Sequence, residues 1–188
     1  MDLRETPLGG EILYRGKIVD VRVDRVALPD GKEATREVVV HPGGVAVVAV
    51  TRDRRVVAVR QYRYPMGEVL LEIPAGKLEP GEDPADGGRR ELLEETGYTP
   101  GRYEPLGVLY PTPGYCQEKL HLFLATDLTQ AGANPDEDEW LEVVHVPLDE
   151  MMARILDGRV RDAKTIAGVL MARGRLSDAA SGAAPDTK

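Results

Sequence analysis

The sequence predicts a mixed α/β fold, in which helices cover a sheet whose strands run in both directions. Runs of alternating apolar or β-branched residues occupy much of the first sixty positions, as is typical of strands. Segments with helical character follow at 84–96, 148–157 and 162–173. We expect the first helix to pack on one face of the sheet and the last two on another.

Strands are predicted where apolar or β-branched runs lie between turns. Pro29-Asp30-Gly31 has the composition of a turn, and Arg52-Asp53-Arg54 joins two nearly continuous apolar runs that are typical of buried strands. The first forty residues alone form too small a sheet to be stable independently. The predicted strands are 12–14, 18–28, 37–40, 45–51, 55–60, 69–73, 103–110, 119–125 and 139–146.

The helix at 84–96 is defined by the residues at its ends. Asp83 is a candidate N-cap, the proline after it suits the first helical position, and Gly97 suits the position just past the last turn. Gly87 and Gly88 are unexpected inside this helix, since each costs about 1 kcal/mol relative to alanine. A close approach of the helix to the sheet would explain Gly88, and the sequence offers no reason for Gly87.

Three carboxylates share one stripe of this helix. Glu91, Glu94 and Glu95 are related by i, i+3 and i+4 spacing, so their charges repel unless a cation lies among them. Hard oxygen ligands without neighbouring His or Cys favour Mg²⁺ or Mn²⁺. The alternative is an acidic helix face that is simply solvated.

Composition and charge narrow the classes of partner and compartment. The chain has 188 residues and a net charge of −8, which argues against nucleic acid because phosphate binding needs a basic surface. Its single cysteine, Cys116, cannot form an internal disulfide and favours a reducing compartment. No N-terminal apolar run resembles a signal peptide, and no stretch approaches the ~18 apolar residues of a membrane span. We therefore expect a cytoplasmic protein with no membrane partner.

Residues 76–98 contain glycines and charged residues at fixed intervals. Seven such matches arise by chance on the order of 10⁻⁹ to 10⁻⁸ per start position. The pattern resembles the Nudix box, with every defined position filled, which implies metal-assisted hydrolysis of a nucleoside diphosphate linked to another group. The resemblance also implies that Arg90 pairs with Glu82. The matching residues are Gly76, Glu82, Arg90, Glu91, Glu94, Glu95 and Gly97.

The resemblance also implies an architecture. It predicts a Nudix α/β/α sandwich with a mixed sheet at 43–176. A small N-terminal antiparallel β segment at 1–42 precedes it and pairs with a second copy in a homodimer. Residues 177–188 are small, polar and aperiodic, which predicts a disordered tail.

Further stretches resemble bacterial ADP-ribose pyrophosphatases, and Pro113 lies about fifteen residues past the box, as in that class. The implied reaction converts ADP-ribose to AMP and ribose 5-phosphate. The stretches are Y-R-G (14–16), T-R-E-V-V-V-H-P-G-G-V-A-V (35–47), V-R-Q-Y-R (59–63), E-I-P-A-G-K-L-E (72–79), Y-P-T-P-G-Y-C-Q-E (110–118), D-E-D-E-W-L-E-V (136–143) and R-D-A-K-T (161–165).

Individual roles follow from the same resemblance. Glu137 matches the general base, although four adjacent acids leave that assignment open to a shift by one position or to a plain solvated loop. The implied metal ligands are the carbonyl of Ala75 and the carboxylates of Glu91, Glu94, Glu95 and Glu139. The implied substrate contacts are Lys17, Ile18, Arg36, Glu37, Arg63, Lys77, Thr112, Pro113, Gly114 and Glu118.

Three alternatives remain open at this point. The same chemistry could act on another nucleotide sugar or a dinucleotide. A Nudix-fold module could bind ADP-ribose without hydrolysing it, although lesions in the box are the mark of that class and this box has none. An acidic helix could also be purely structural. Arginines such as Arg36 and Arg63 suit phosphate binding because their planar guanidinium makes two-point contacts, but a surface arginine on a strand has the same appearance.

Overall fold

The computed structural model describes residues 1–132 and 140–181, and it confirms the predicted mixed α/β fold. The chain forms two compact units. The N-terminal unit contains residues 1–43 and 110–119, and the larger unit contains residues 44–109 together with the described residues from 120 onward. The sequence analysis placed 110–119 in the second domain.

The N-terminal unit is the small antiparallel sheet that the sequence predicts. Its strands are β1 (Thr6–Arg15), β2 (Asp20–Ala27) and β3 (Glu33–Val40), in the order β1-β2-β3. β1 begins six residues before the predicted start at residue 12, because its backbone pairs with β2 although it lacks apolar alternation. Residues 110–119 join this unit by a bridge between Val39 and Cys116, which backbone hydrogen bonds on either side support.

A seven-stranded mixed sheet forms the centre of the larger unit. β4 pairs in parallel with β9, while the other pairings are antiparallel. The strand order is β10-β5-β4-β9-β8, with β6 on β5 and β7 on β4. β7 was not predicted, because three residues are too few to show alternation. The strands are β4 (Gly44–Val50), β5 (Arg55–Arg63), β6 (Glu68–Glu72), β7 (Ala75–Lys77), β8 (Tyr98–Leu109), β9 (Leu120–Gln130) and β10 (Leu141–Pro147).

In the part of the chain that the structure describes, three helices cover the two faces of this sheet. α1 (Pro84–Thr96) has the predicted bounds and packs Leu92 into a cluster with one face of β4, β5 and β9. α2 (Leu148–Leu156) and α3 (Ala163–Ser181) belong to the larger core on the opposite face. The alternation of β4 therefore divides its valines and alanines between two cores.

α3 ends later than predicted. The helix continues to Ser181 instead of stopping at 173, and it includes the first five residues of the predicted tail. The segment after Arg173 contains good helix formers and no proline, and Ser177 donates its hydroxyl proton to the Arg173 carbonyl at 2.9 Å. Residues 182–188, the rest of the predicted tail, lie outside the described residues. No helix in the described ranges is long and apolar enough to cross a membrane.

Candidate active site

The ends of α1 fix the register that the acidic residues need. Asp83 accepts a hydrogen bond from the Ala85 N–H at 2.8 Å, which makes it the predicted N-cap. Gly97 adopts the left-handed conformation with φ 75°, and its N–H donates to the Leu93 carbonyl at 2.8 Å. With both ends set, the residues Glu91 and Glu95 are buried, with relative exposures of 8% and 2%.

These two carboxylates converge on the backbone where β7 begins. Glu95 accepts a hydrogen bond from the Ala75 N–H at 3.2 Å. A Cβ at Gly76 would lie only 2.0–2.3 Å from the three carboxyl-group atoms of Glu91. The glycine is therefore required because the carboxylate of Glu91 occupies the space of a side chain at position 76.

Arg90 organises the acidic side chains around the box. It donates two hydrogen bonds to Glu82, at 2.9 and 3.0 Å, which confirms the predicted pair. Its Nη1 donates to Glu91 at 2.8 Å and to Glu94 at 2.9 Å. The bond to Glu82 raises the pKa of Arg90, with Glu91 and Glu94 adding to the shift, and the same bond lowers the pKa of Glu82. The guanidinium thus fixes the loop and offsets part of the repulsion along the stripe.

Both unexpected glycines of α1 are explained by close packing. A Cβ at Gly88 would lie 2.0 Å from the Tyr103 hydroxyl oxygen and 2.9 Å from Val45 Cγ2, so the helix approaches the sheet there as expected. A Cβ at Gly87 would lie 2.9 Å from Leu78 Cδ2 and 3.0 Å from Glu82 Oε2. Gly87 therefore lets the loop before α1 lie against the helix.

The residues at this position suit a hard divalent cation. Two buried carboxylates provide oxygen atoms beside residues 75 and 76, where Glu95 accepts a hydrogen bond from the Ala75 N–H and Glu91 fills the space next to Gly76. Within residues 1–132 and 140–181, no three His, Cys, Asp or Glu side chains form a metal cluster by themselves. The predicted base Glu137 and the predicted ligand Glu139 lie outside the described residues.

The larger unit also contains two of the predicted substrate contacts. Arg63 donates two hydrogen bonds of 2.8 Å to Glu72, whose side chain is 1% exposed. Lys77 has an exposed side chain, and its carbonyl accepts a hydrogen bond from Arg90 at 3.2 Å. Sequence reasoning assigned no role to Glu72 or to Lys164, which also binds Glu72. A carboxylate inside the apolar run V-L-L-E-I-P was the available indication of a buried ion pair.

The remaining predicted substrate contacts lie in the N-terminal unit. Arg36 donates to Glu5 and to the Thr35 carbonyl, contacts that the sequence did not predict. Glu118 lies 4.0 Å from Nδ1 of His41. The exposed members of this set are Lys17, Ile18, Glu37, Thr112, Pro113 and Gly114.

Comparisons with known families decide the classification. Residues 40–169 match the NUDIX domain. The chain belongs to the Nudix family. Residues 5–39 match the nucleoside diphosphate sugar hydrolase N-terminal domain. The Nudix resemblance inferred from residues 76–98 is thereby confirmed.

Individual Nudix relatives cover nearly the whole chain. An ADP-ribose pyrophosphatase of Bacillus subtilis strain 168 is 42% identical over 165 residues, which are 87% of this chain and 89% of the relative. A methanol dehydrogenase activator of Bacillus methanolicus is 42% identical over 167 residues, covering 88% and 90%. A crystal structure of an ADP compounds hydrolase superposes with a TM-score of 0.84 at 25% identity, covering 95% of this chain and 98% of the other.

Proposed function

We propose that this Nudix enzyme hydrolyses the pyrophosphate bond of ADP-ribose to AMP and ribose 5-phosphate, using Mg²⁺ or Mn²⁺. The observation that supports it most directly is the convergence of two buried carboxylates, Glu91 and Glu95, on Ala75 and Gly76. The names of relatives that share most of the chain's length support the choice of substrate.

In this proposal, the cation is held by oxygen atoms of the box and of the later acidic loop. When bound, it neutralises charge at the pyrophosphate and makes a water molecule a stronger acid. Arg90 keeps Glu91 and Glu94 in place, and Arg63 binds a phosphate oxygen. Glu137 accepts the proton of the attacking water. The proposed ligands are the Ala75 carbonyl, Glu91, Glu94, Glu95 and Glu139.

The N-terminal unit is proposed to contact the adenosine and terminal ribose, and to form the interface of a homodimer. β1 is an edge strand of its sheet, and all ten of its residues are exposed. Ile12, Leu13 and Tyr14 are among them. Such an edge requires protection from uncontrolled pairing, which a second copy would provide. The single Cys116 supports a cytoplasmic location within the same proposal.

Product analysis tests the reaction. Purified protein is incubated with ADP-ribose, other nucleotide sugars, dinucleoside polyphosphates and flavin or nicotinamide dinucleotides, with and without Mg²⁺. We expect AMP and ribose 5-phosphate to form from ADP-ribose at the highest kcat/KM, and only with the cation. Glu95→Gln should abolish this turnover without unfolding the protein.

The same assay separates the alternatives. Faster hydrolysis of another diphosphate would replace ADP-ribose as the substrate and leave the chemistry intact. Binding of ADP-ribose with no products would indicate a non-hydrolytic module. If Mg²⁺ affects neither activity nor thermal stability, the acidic stripe is structural and the metal assignment is wrong.

A further inference from the structure

A cluster of four charged side chains, of which one is buried and three are partly exposed, joins the end of β6 to the start of α3. We define the Glu72 cluster as Arg63, Glu72, Asp162 and Lys164. Glu72 accepts two hydrogen bonds from Arg63 and is also paired with Lys164, which in turn lies 3.0 Å from Asp162. The cluster contains two positive and two negative groups, so its charges balance. Every described member has a partner within it.

The segment R-D-A-K-T at 161–165 builds one side of this cluster. Asp162 accepts hydrogen bonds from the N–H and hydroxyl of Thr165, at 2.9 and 2.5 Å, which makes it the N-cap of α3. The Thr165 hydroxyl oxygen accepts a bond from the Ile73 N–H at 2.8 Å. Ile73 and Glu72 are adjacent, so the start of α3 holds the end of β6 through backbone and side chain together.

Strand register explains why the contact between Arg63 and Glu72 matters. On the paired strands Arg63 lies opposite Glu68, while Glu72 lies opposite Val59, four residues before Arg63 on β5. The Arg63 side chain therefore extends along the sheet towards the end of β6 that leads into β7. Without Glu72, an arginine at the hairpin end of β5 has no reason to lie along the sheet.

The hydrogen bonds leave one edge of the guanidinium available. Nε and Nη2 donate to Glu72, whereas Nη1 has no hydrogen bond to any described residue, and the side chain is 39% exposed. The bonds to Glu72 raise the pKa of Arg63, and the negative charges of Glu95 and Asp162 raise it further. The guanidinium thus lies within electrostatic reach of Glu95 of the box.

We propose that Glu72 is a positioning residue, which holds the guanidinium of Arg63 with its Nη1 edge directed to a phosphate of the diphosphate substrate. Lys164 and Asp162 brace Glu72 from the start of α3. This assignment rests on the proposed function, because it needs a substrate with a phosphate group. It gives Asp162 and Lys164 of the R-D-A-K-T segment a role in positioning the substrate-binding arginine.

A double-mutant cycle on the full-length protein tests this role. Arg63→Ala, Glu72→Gln and the double variant are compared with wild type by kcat and KM for ADP-ribose with Mg²⁺. Glu72→Gln should lower kcat/KM by roughly 10- to 100-fold, because displacement of a binding group by about 1 Å has effects of that size. The kcat/KM of the double variant should be no lower than that of Arg63→Ala. In both single variants, the loss should be divided between kcat and KM in the same proportion.

Two further variants separate positioning from folding. Arg63→Lys keeps the positive charge at a partly exposed site but cannot make the two-point contact, so it should lose nearly as much activity as Arg63→Ala. Glu68→Gln removes the same charge from the same strand, where Glu68 pairs with the exposed Arg161, and should keep kcat/KM within about twofold. Thermal midpoints well above the assay temperature show that each variant is folded when its kinetics are measured.

The outcomes are distinct. Additive losses in the cycle, full activity of Arg63→Lys, or an unchanged kcat/KM in Glu72→Gln would each overturn the positioning role. If wild type hydrolyses a different diphosphate instead of ADP-ribose, the proposed substrate is wrong and the cycle is completed with that compound. If wild type neither binds nor hydrolyses any of them, both proposals are wrong.

Discussion

Replacing Gly88 with alanine should destabilise this protein, although the same change stabilises an ordinary helix by about 1 kcal/mol. An ideal Cβ at this position would lie 2.0 Å from Tyr103 Oη and 2.9 Å from Val45 Cγ2. Relaxed contacts lie at about 3.5–4.0 Å, so the helix or the tyrosine must move by roughly 1.5 Å. Overpacking of this kind costs about 1–3 kcal/mol. The gain of about 1 kcal/mol from replacing a helical glycine offsets part of this cost, so we expect a net loss of up to about 2 kcal/mol for Gly88→Ala.

A second substitution should rescue the first. The Tyr103 hydroxyl is buried and has no hydrogen-bond partner among the described residues, and burial raises its pKa. Tyr103→Phe therefore removes no hydrogen bond and should stabilise the protein by up to about 1 kcal/mol. It also removes the atom at 2.0 Å from the new Cβ, leaving contacts of 2.9 and 3.3 Å. The double variant should be at least as stable as wild type.

Urea denaturation of wild type, Gly88→Ala, Tyr103→Phe and the double variant measures the coupling free energy between the two positions. In a thermal melt, a loss of 1 kcal/mol corresponds to roughly 2–4 °C in Tm for a chain of this size. Gly174→Ala is the matched control, because Gly174 lies in α3 and a Cβ added there would meet no atom within 4 Å. This variant should therefore be more stable than wild type. Gly88→Ala should also lower turnover by up to about 100-fold, since α1 carries Glu91 and Glu95 with it. A higher stability for Gly88→Ala, or purely additive effects in the cycle, would refute the packing argument.

Three other predictions follow from the box. Gly76→Ala should displace the Glu91 carboxylate, which lies 2.0–2.3 Å from the new Cβ. Because a misplacement of roughly 1 Å costs about 100-fold in rate, turnover should fall at least 100-fold. Steady-state kinetics should show this loss while the thermal midpoint of the variant stays that of wild type. The Glu82 pKa is lowered by Arg90, so the stability from this pair is present above about pH 4.5 and is lost as the pH falls through the lowered value. The difference in urea midpoint between wild type and Glu82→Gln should therefore shrink below that pH, and a constant difference would contradict the assignment. Mg²⁺ at about a hundredfold excess over its Kd should stabilise wild type by about 2.7 kcal/mol and leave Glu95→Gln unchanged in a thermal melt.

Local sequence patterns were sufficient to predict the bounds of α1 and the family to which the chain belongs. The N-cap at Asp83, the proline after it and Gly97 specify this helix through contacts within a few residues, and its observed bounds match the prediction. The spacing of the acids on the helix follows from its geometry alone. The pairing of Arg90 with Glu82 could also be predicted from the sequence, because the resemblance to the Nudix box implied it.

The bounds of longer elements were harder to predict where the element depends on backbone hydrogen bonds and its side chains show no regular pattern. β1 contains two adjacent glycines and no regular alternation, yet eight of its ten residues pair with β2. α3 continues past its predicted end because nothing in its last residues interrupts a helix. The substrate-contact residues and the domain limits stay predictions.

By itself, the sequence determined which residues form the acidic helix, in what register, and to which family the chain belongs, because these depend on spacing along one segment. Only the tertiary structure decided which atoms leave no room for a side chain at Gly76, Gly87 and Gly88, since each faces atoms that are distant in the chain or separated by a loop. It also decided that the buried Glu72 is paired both with Arg63 and with Lys164 of α3. Such contacts depend on how strands and helices pack across the sheet, and no local pattern encodes that packing.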